Sequence, residues 1–345
     1  MEVCISCMGR DLTWRTSWRR HTPKEIVMRV FVTGASGFVG GRVVETLASQ
    51  GHEVLAMARS EGAARKVAAR GATPVRCSLE QVAARDLGGA SVVIHCAAYV
   101  EEWGPAETYH QVNVEGTRNL LLAAEHGGVE RFLHVSTVGA VWDGGDMVDL
   151  DETAAYPARH RFPYTETKAA AERLVQAANR PGFETVAVRP CLIWGEGDTT
   201  VLPVLHKMVS QGAFTWLDGG RARLSTTHVD NLVHGILLAL ERGQGGRAYF
   251  VRDDQDHSIR EFLTAYAATD GLALPDRSLP GWLVRGAAAG IEGLWKLSGK
   301  TAAPPVTGFA AAASSRSLTV RHDLAARELG YAPVVTVAQG MAAMV

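Results

Sequence analysis

Tyr164 and Lys168 stand four residues apart in "FPYTETKAAAERLVQ". On a helix that spacing puts both side chains on one face. A phenol that exchanges a proton with an alcohol or ketone must titrate near the working pH. Free tyrosine titrates near ~10, about three units or ~4 kcal/mol too high. A lysine ammonium at ~4 Å supplies a similar energy at an effective dielectric of ~20. The pair is therefore sufficient for an acid/base tyrosine. A further hydroxyl should hold the substrate oxygen from the carboxyl end of a strand. "RFLHVSTVGAVW" offers Thr137 as first choice and Ser136 as second, with Ser136 better suited to supporting the backbone.

A second set of residues suits a dinucleotide. In "FVTGASGFVG", Gly34, Gly37 and Gly40 fall three apart behind an apolar run. Glycines permit a tight turn and close backbone approach, and the helix that follows offers free amides to a pyrophosphate. The spacing is GxxGxxG rather than GxGxxG, and a purely structural turn would use the same residues. About 20 residues on, a Rossmann domain usually sets an acid against the ribose 2′-hydroxyl. Arg59 and Ser60 stand there instead. A carboxylate repels a 2′-phosphate and an arginine forks onto it. NADP(H) is therefore favoured, with NAD(H) left open by the neighbouring Glu61; a solvated surface arginine is the alternative reading of Arg59.

The elements that must carry these groups alternate from Met28 onward. "MRVFVTG", "EVLAMAR", "TPVR", "SVVIHCA", "RFLHVST", "ETVAVRP" and "RAYFV" read as strands, with helical spacing between several of them. Apolar strands alternating with helices predict a parallel sheet covered on both faces, a doubly wound α/β fold of about seven strands. After Pro190 the pattern turns mostly helical, in "VLPVLHKMVSQGAF", "SIREFLTAYAATDG" and "GWLVRGAAAGIEGLWKL". The expected organisation is a dinucleotide-binding domain over 28–190, with 226–252 returning to it. A smaller substrate lobe is expected from 191–225 and 253–345.

The 345 residues carry 35 Lys+Arg against 36 Asp+Glu, a balance that gives no basis for a nucleic-acid partner. No run is long and apolar enough to span a membrane, and no secretory signal is visible. Residues 1–27 are basic and lack apolar periodicity. They predict a disordered extension or an upstream start, with a transit-like peptide as the alternative. Cys4 and Cys7 form a lone CxxC without the four ligands of a zinc site, so no metal is expected. Cys77, Cys96 and Cys191 read as small buried thiols, which suits a reducing, cytoplasmic setting.

Together these pieces make the chain resemble the extended short-chain dehydrogenase/reductases, the NAD(P)-dependent epimerase/dehydratase superfamily. "TGASGFVG", "VIHCAAYV", "NVEGTRNLL", "HVST", "YTETK", "VRPCLIWGEGD" and "HVDNL" carry the likeness. "AAYVEEWG" and the tail "HDLAARELGYAPVVTVAQGM" look most like the 3β-hydroxysteroid dehydrogenase-like branch. The resemblance implies catalysis by Thr137, Tyr164 and Lys168. It implies cofactor contacts at Gly34, Gly37, Phe38, Val39 and Arg59, then at Ala97, Ala98 and Tyr99, and at Pro190 and Ile193 beside the nicotinamide. Lys168 would also bond the nicotinamide ribose.

The chain departs from the pattern in three places. Ser78 stands where an acid often meets the adenine; Val138 and Gly139, rather than Asp-Glu, follow Thr137; and "RLSTTHVDN" replaces an Arg-Asp-Phe run. The last two argue against a nucleotide sugar. The expected activity is hydride transfer between NADP(H) and a secondary alcohol or ketone of a lipid-, steroid- or polyketide-like substrate. An epimerase with tightly held NAD, or a catalytically silent NADP-sensing protein, are the alternatives. A homodimer is implied by analogy only. Peripheral membrane contact through "LVRGAAAGIEGLWKL" is a minor alternative to a substrate lid.

Overall fold

The computed structural model describes residues 27–298 and 302–345. The expectations for residues 1–26, Cys4 and Cys7 among them, lie outside the described residues. Seven strands form one sheet: β1 (Arg29–Thr33), β2 (Glu53–Met57), β3 (Thr73–Val75), β4 (Val92–His95), β5 (Arg131–Val135), β6 (Glu184–Pro190) and β7 (Ala248–Val251). Their order across the sheet is β7-β6-β5-β4-β1-β2-β3, and every neighbouring pair is parallel. The predicted doubly wound α/β sheet is thus present. The winding reverses between β1 and β4, which opens a crevice at their carboxyl ends.

The strands read as apolar runs because both sheet faces are covered. Val30 and Val32 point into one core with Val43, Val44 and Leu47 of α1 (Phe38–Ser49). Phe31 between them points into the other, against Leu120 and Leu121 of α2 (Gly116–His126). All three strand residues are fully buried, and burying each contributes roughly 1.5–3 kcal/mol.

Two further helices position the site. α3 (Pro163–Ala177) starts with proline in its first turn, where a missing amide hydrogen leaves no bond unmade. α4 (Val229–Arg242) packs on the first core through Leu232, Val233 and Ile236.

The predicted helices beyond Pro190 form at Val201–Ser210, Ile259–Ala268 and Gly281–Leu297, and the last is α5. This part is not helices alone. A four-stranded mixed sheet joins His257–Ser258, Arg223–Leu224, Leu318–Val320 and Met147–Leu150. Met147–Leu150 precedes α3 in the chain, so the two halves share this small sheet. The tail also crosses back: Ala325, Leu329 and Tyr331 pack in the same core as Val30 and Val32. Asn231 on α4 receives bonds from the Val334 and Val335 amides at 2.8 and 2.9 Å.

Three tryptophans of the lobe divide. Trp194 is fully buried and bonds the Asp253 carboxylate at 2.7 Å, and Trp216 is also buried. Trp282 is 69% exposed on α5, whose outward face also carries the exposed Leu283, Leu294 and Leu297. No helix of the described residues is long and apolar enough to cross a membrane.

Candidate active site

The glycine loop lies at the switch point. Gly34 follows β1 with φ +69°, a backbone conformation that favours glycine. A Cβ there would stand 2.7 Å from the Ala97 amide nitrogen, in the segment after β4. A Cβ on Gly40 would stand 2.4 Å from the Gly34 carbonyl oxygen. The loop therefore packs onto the helix it opens and onto the next strand's exit with no room for side chains.

α1 begins at Phe38 behind Gly37, with no side-chain cap and no acid in its first turn. Its leading amides and helix dipole are left for an anion. Arg70, which the sequence reading did not single out, donates to the carbonyls of Ala35 and Gly37 at 2.9 and 3.2 Å and braces the loop. A dinucleotide pyrophosphate fits this cradle.

Arg59 follows β2 and lines a recess of about 190 Å³ with Arg76, Cys77, Ser78 and Gln81. Ser60 is occupied as the cap of the helix Glu61–Ala69, accepting from the Ala63 amide at 3.2 Å. Glu61, the residue that left NAD(H) open, pairs with Arg76 at 3.2 Å and Arg65 at 3.8 Å. Arg76 was missed because it comes from β3's exit, far along the chain from the glycine loop. Burial pushes the Cys77 thiol up to about 11, which leaves it protonated.

Ala97, Ala98 and Tyr99 follow β4. The Ala97 amide donates to the Thr33 hydroxyl at 3.2 Å. Buried Asn113 clamps Tyr99 by its backbone, accepting from the amide at 2.7 Å and donating to the carbonyl at 3.1 Å. Pro190 ends β6. Ile193 lies in a short strand, Leu192–Trp194, paired with Thr226–His228. Ala97, Ala98, Tyr99 and Pro190 thus lie at carboxyl ends of the parallel sheet, the edge from which the glycine loop also leaves, and Ile193 follows three residues after Pro190.

The catalytic candidates converge from β5 and α3. Thr137 follows β5, and its hydroxyl accepts from the Gly139 amide at 3.1 Å. It also stands beside the Tyr164 phenol. Burial pushes that phenol up, and the nearby Thr137 hydroxyl opposes the rise. Ser136 is buried on the other side, beside Glu172. Thr137 rather than Ser136 is thus the hydroxyl at Tyr164.

Lys168 differs from the simple expectation of an ammonium aimed at the phenol. Its Nζ donates to the Val135 carbonyl at 2.7 Å and lies 3.4 Å from His134 Nε2. Burial lowers it to about 8, with Glu172 and Cys96 opposing. Glu172, one turn further on, is itself buried. Burial works to raise its carboxyl, but the Arg189 guanidinium, 2.6 Å away, holds it down. Tyr156 adds a bond to the same carboxylate at 2.5 Å.

Above Tyr164 opens a cavity of about 340 Å³. Its walls are Trp103, Tyr109, Phe162, Phe309 and Trp295, the last from α5, and Phe309 meets the Tyr164 ring edge-on at 6.0 Å. Glu101, Glu102, Arg161, Glu292 and Lys296 also border it. The Tyr164 phenol, with the Thr137 hydroxyl beside it, thus lines the aromatic chamber.

Residues 31–281 match the 3-beta hydroxysteroid dehydrogenase/isomerase family. The chain belongs to that family. It is an NAD(P)-dependent dehydrogenase/reductase of the extended short-chain type. Among similar proteins is the 4-hydroxy-2-methyl-3-oxo-4-farnesyl-3,4-dihydroquinoline-1-oxide ketoreductase of Stigmatella aurantiaca, 41% identical over 92% of this chain and 96% of the relative. A 3-beta-hydroxysteroid dehydrogenase of Mycolicibacterium neoaurum is 34% identical over 91% of this chain and 89% of its own. The crystal structure of gox2253 superposes with a TM-score of 0.72 at 28% identity, covering 91% of this chain and 96% of that one.

Proposed function

We propose that this family member is an NADPH-dependent ketoreductase for an apolar, ring-bearing substrate of the lipid-, steroid- or polyketide-like class. The observation that carries the reading is the Thr137–Tyr164 hydroxyl pair at the base of an aromatic cavity beside the nucleotide crevice. A bound nicotinamide supplies the hydride. Tyr164 gives its phenolic proton to the substrate oxygen, and Thr137 holds that oxygen by a hydrogen bond. Lys168 bonds the ribose and keeps positive charge near the phenol as it loses its proton. Gly34, Gly37, Phe38 and Val39 hold the pyrophosphate. Ala97, Ala98 and Tyr99 line the middle of the nucleotide, and Pro190 and Ile193 flank the nicotinamide.

The preference for NADPH rests on Arg59 and Arg76 lining one recess, with the nearby carboxylate already paired. The substrate class rests on the aromatic walls and on the relative that reduces a prenylated quinoline ketone. The partner is thus a small molecule, and the setting we assign is cytoplasmic. The test is a ketone panel of steroids, 2-alkyl-3-oxo acids and cyclic aryl ketones, followed by NADPH and NADH absorbance. Oxidation of NADPH by apolar cyclic ketones is the expected result. Turnover confined to nucleotide sugars, or faster with NADH throughout, overturns the reading.

A further inference from the structure

We infer that His134 is a positioning residue for Lys168: it accepts a hydrogen bond from the lysine ammonium and helps hold it at the end of β5. The inference rests on the proposed role of Lys168. His134 is 1% exposed and Lys168 is 2% exposed, so neither contact is a surface accident. Lys168 Nζ lies 3.4 Å from His134 Nε2. An ammonium has only hydrogens to give, so Nε2 must be the acceptor and the ring proton must sit on Nδ1. That nitrogen has no partner among the described residues. Buried polar atoms are rarely left this way, because the lost bond to water is not replaced.

The usual escapes are closed. Turning the tautomer over would aim an N–H at the ammonium. Protonating the ring would set two cations side by side in a buried site, and burial together with Lys168 already pushes His134 well down. The neighbouring His95 ring, 5.2 Å away, offers no help. Its two nitrogens are bonded to the Thr33 and Thr117 hydroxyls at 2.7 and 2.9 Å. The orphaned Nδ1 is thus the consequence of pointing Nε2 at Lys168.

The other groups around the ammonium leave this role unfilled. Cys96, beyond β4, is pushed up to about 12 by burial and carries no charge near neutrality. His95 is lowered to about 3 by burial and by Lys168, and is neutral. Glu172, on the same helix, is negative but bonded to Arg189 through both oxygens. Tyr164 keeps its proton, because burial pushes the phenol up. The ammonium therefore has two near acceptors, the Val135 carbonyl and the His134 lone pair.

Removing one acceptor should make the charged lysine harder to keep. In His134→Phe the alkaline limb of the reductase pH profile should move down by about half to one pH unit, the size of one net hydrogen bond. His134→Gln keeps an acceptor and should return most of that shift. A merely structural histidine would change melting temperature and rate without moving the limb. An unmoved limb in His134→Phe, or the same shift in both variants, overturns the inference.

If the phenylalanine variant does not fold, the wild-type ring is read directly by ¹⁵N NMR. A proton on Nδ1 supports the inference, and one on Nε2 overturns it. Lys168→Ala separates this from the reading it rests on. Full activity there removes the lysine's role itself, whereas a crippled lysine variant beside an unmoved His134→Phe profile removes only the histidine's.

Discussion

Lys168 donates to the carbonyl oxygen of Val135 at 2.7 Å, so α3 is tied by its lysine to the strand that Thr137 follows. One hydrogen bond thus joins the two elements that carry the proposed catalytic residues. Meanwhile burial raises the Tyr164 phenol and lowers the lysine to about 8. At neutral pH the phenol therefore keeps its proton and the lysine keeps its charge.

That order of titration fixes a pH profile. Lys168 carries its charge below about 8 and loses it above. The rate of ketone reduction should be level near pH 7 and fall as the pH rises through about 8. Initial rates from pH 6 to 10 check this. A rate that climbs steadily to pH 10 contradicts the assignment.

Tyr164→Phe keeps the ring against Phe309 and removes only the phenol. Turnover should fall by roughly 10²–10⁴-fold, the usual worth of a positioned acid. Cofactor affinity, measured by fluorescence titration, should stay within about twofold, a change of under ~0.5 kcal/mol. Near wild-type kcat would remove Tyr164 from the chemistry.

Arg59 and Arg76 line one recess from two different strand exits. A charge-assisted bond to phosphate contributes roughly 1.5–3 kcal/mol, so Arg59→Ala should lower kcat/KM for NADPH by about 10- to 150-fold. Arg76→Ala should act in the same direction, and it also frees Glu61, 3.2 Å away, to repel the phosphate. NADH should be little affected by either. Equal loss with both cofactors would show that the arginines shape the loop rather than read the phosphate.

His95 is lowered to about 3 because it is buried and faces Lys168. The unfolded chain therefore binds a proton near pH 6.5 that the folded chain refuses until far lower. Stability is full above about pH 6.5 and is lost as the pH falls toward 3, by roughly 5 kcal/mol in all. His95→Gln should flatten the fall in urea-unfolding free energy between pH 6.5 and 4. An unchanged slope would place the acid sensitivity elsewhere.

Gly40→Ala places a methyl 2.4 Å from the Gly34 carbonyl oxygen, and backbone cannot step aside as a side chain can. Loss of measurable dinucleotide binding is expected, with a melting temperature lower by several degrees. Retained NADPH affinity would mean that the loop has an open alternative.

The sheet and the first set of candidate residues could be picked out because their signals are local. The glycine loop, the Tyr164–Lys168 spacing and the Thr137 strand end are each contained in a dozen residues or fewer. Arg70, Arg76, Asn113 and His134 each act on a partner that lies distant in the chain, and no spacing rule joins them. The strand Met147–Leu150 was invisible for the same reason: its partner Leu318–Val320 comes some 170 residues later. Lys168 shows the subtler limit. Its helical position followed from sequence, but the carbonyl it bonds was set by how α3 packs on β5.

The return of residues 325–335 to the main core has a consequence for the chain as it is made. The core that holds Val30 and Val32 is completed by Ala325, Leu329 and Tyr331, and Asn231 needs the amides of Val334 and Val335. At a synthesis rate of ~5–20 residues per second, β1 emerges roughly fifteen to sixty seconds before those partners do. For that interval the nucleotide half is a sheet with one face incompletely roofed. A ribosome stalled after β7 would therefore hold a sticky, protease-sensitive intermediate rather than a finished Rossmann domain.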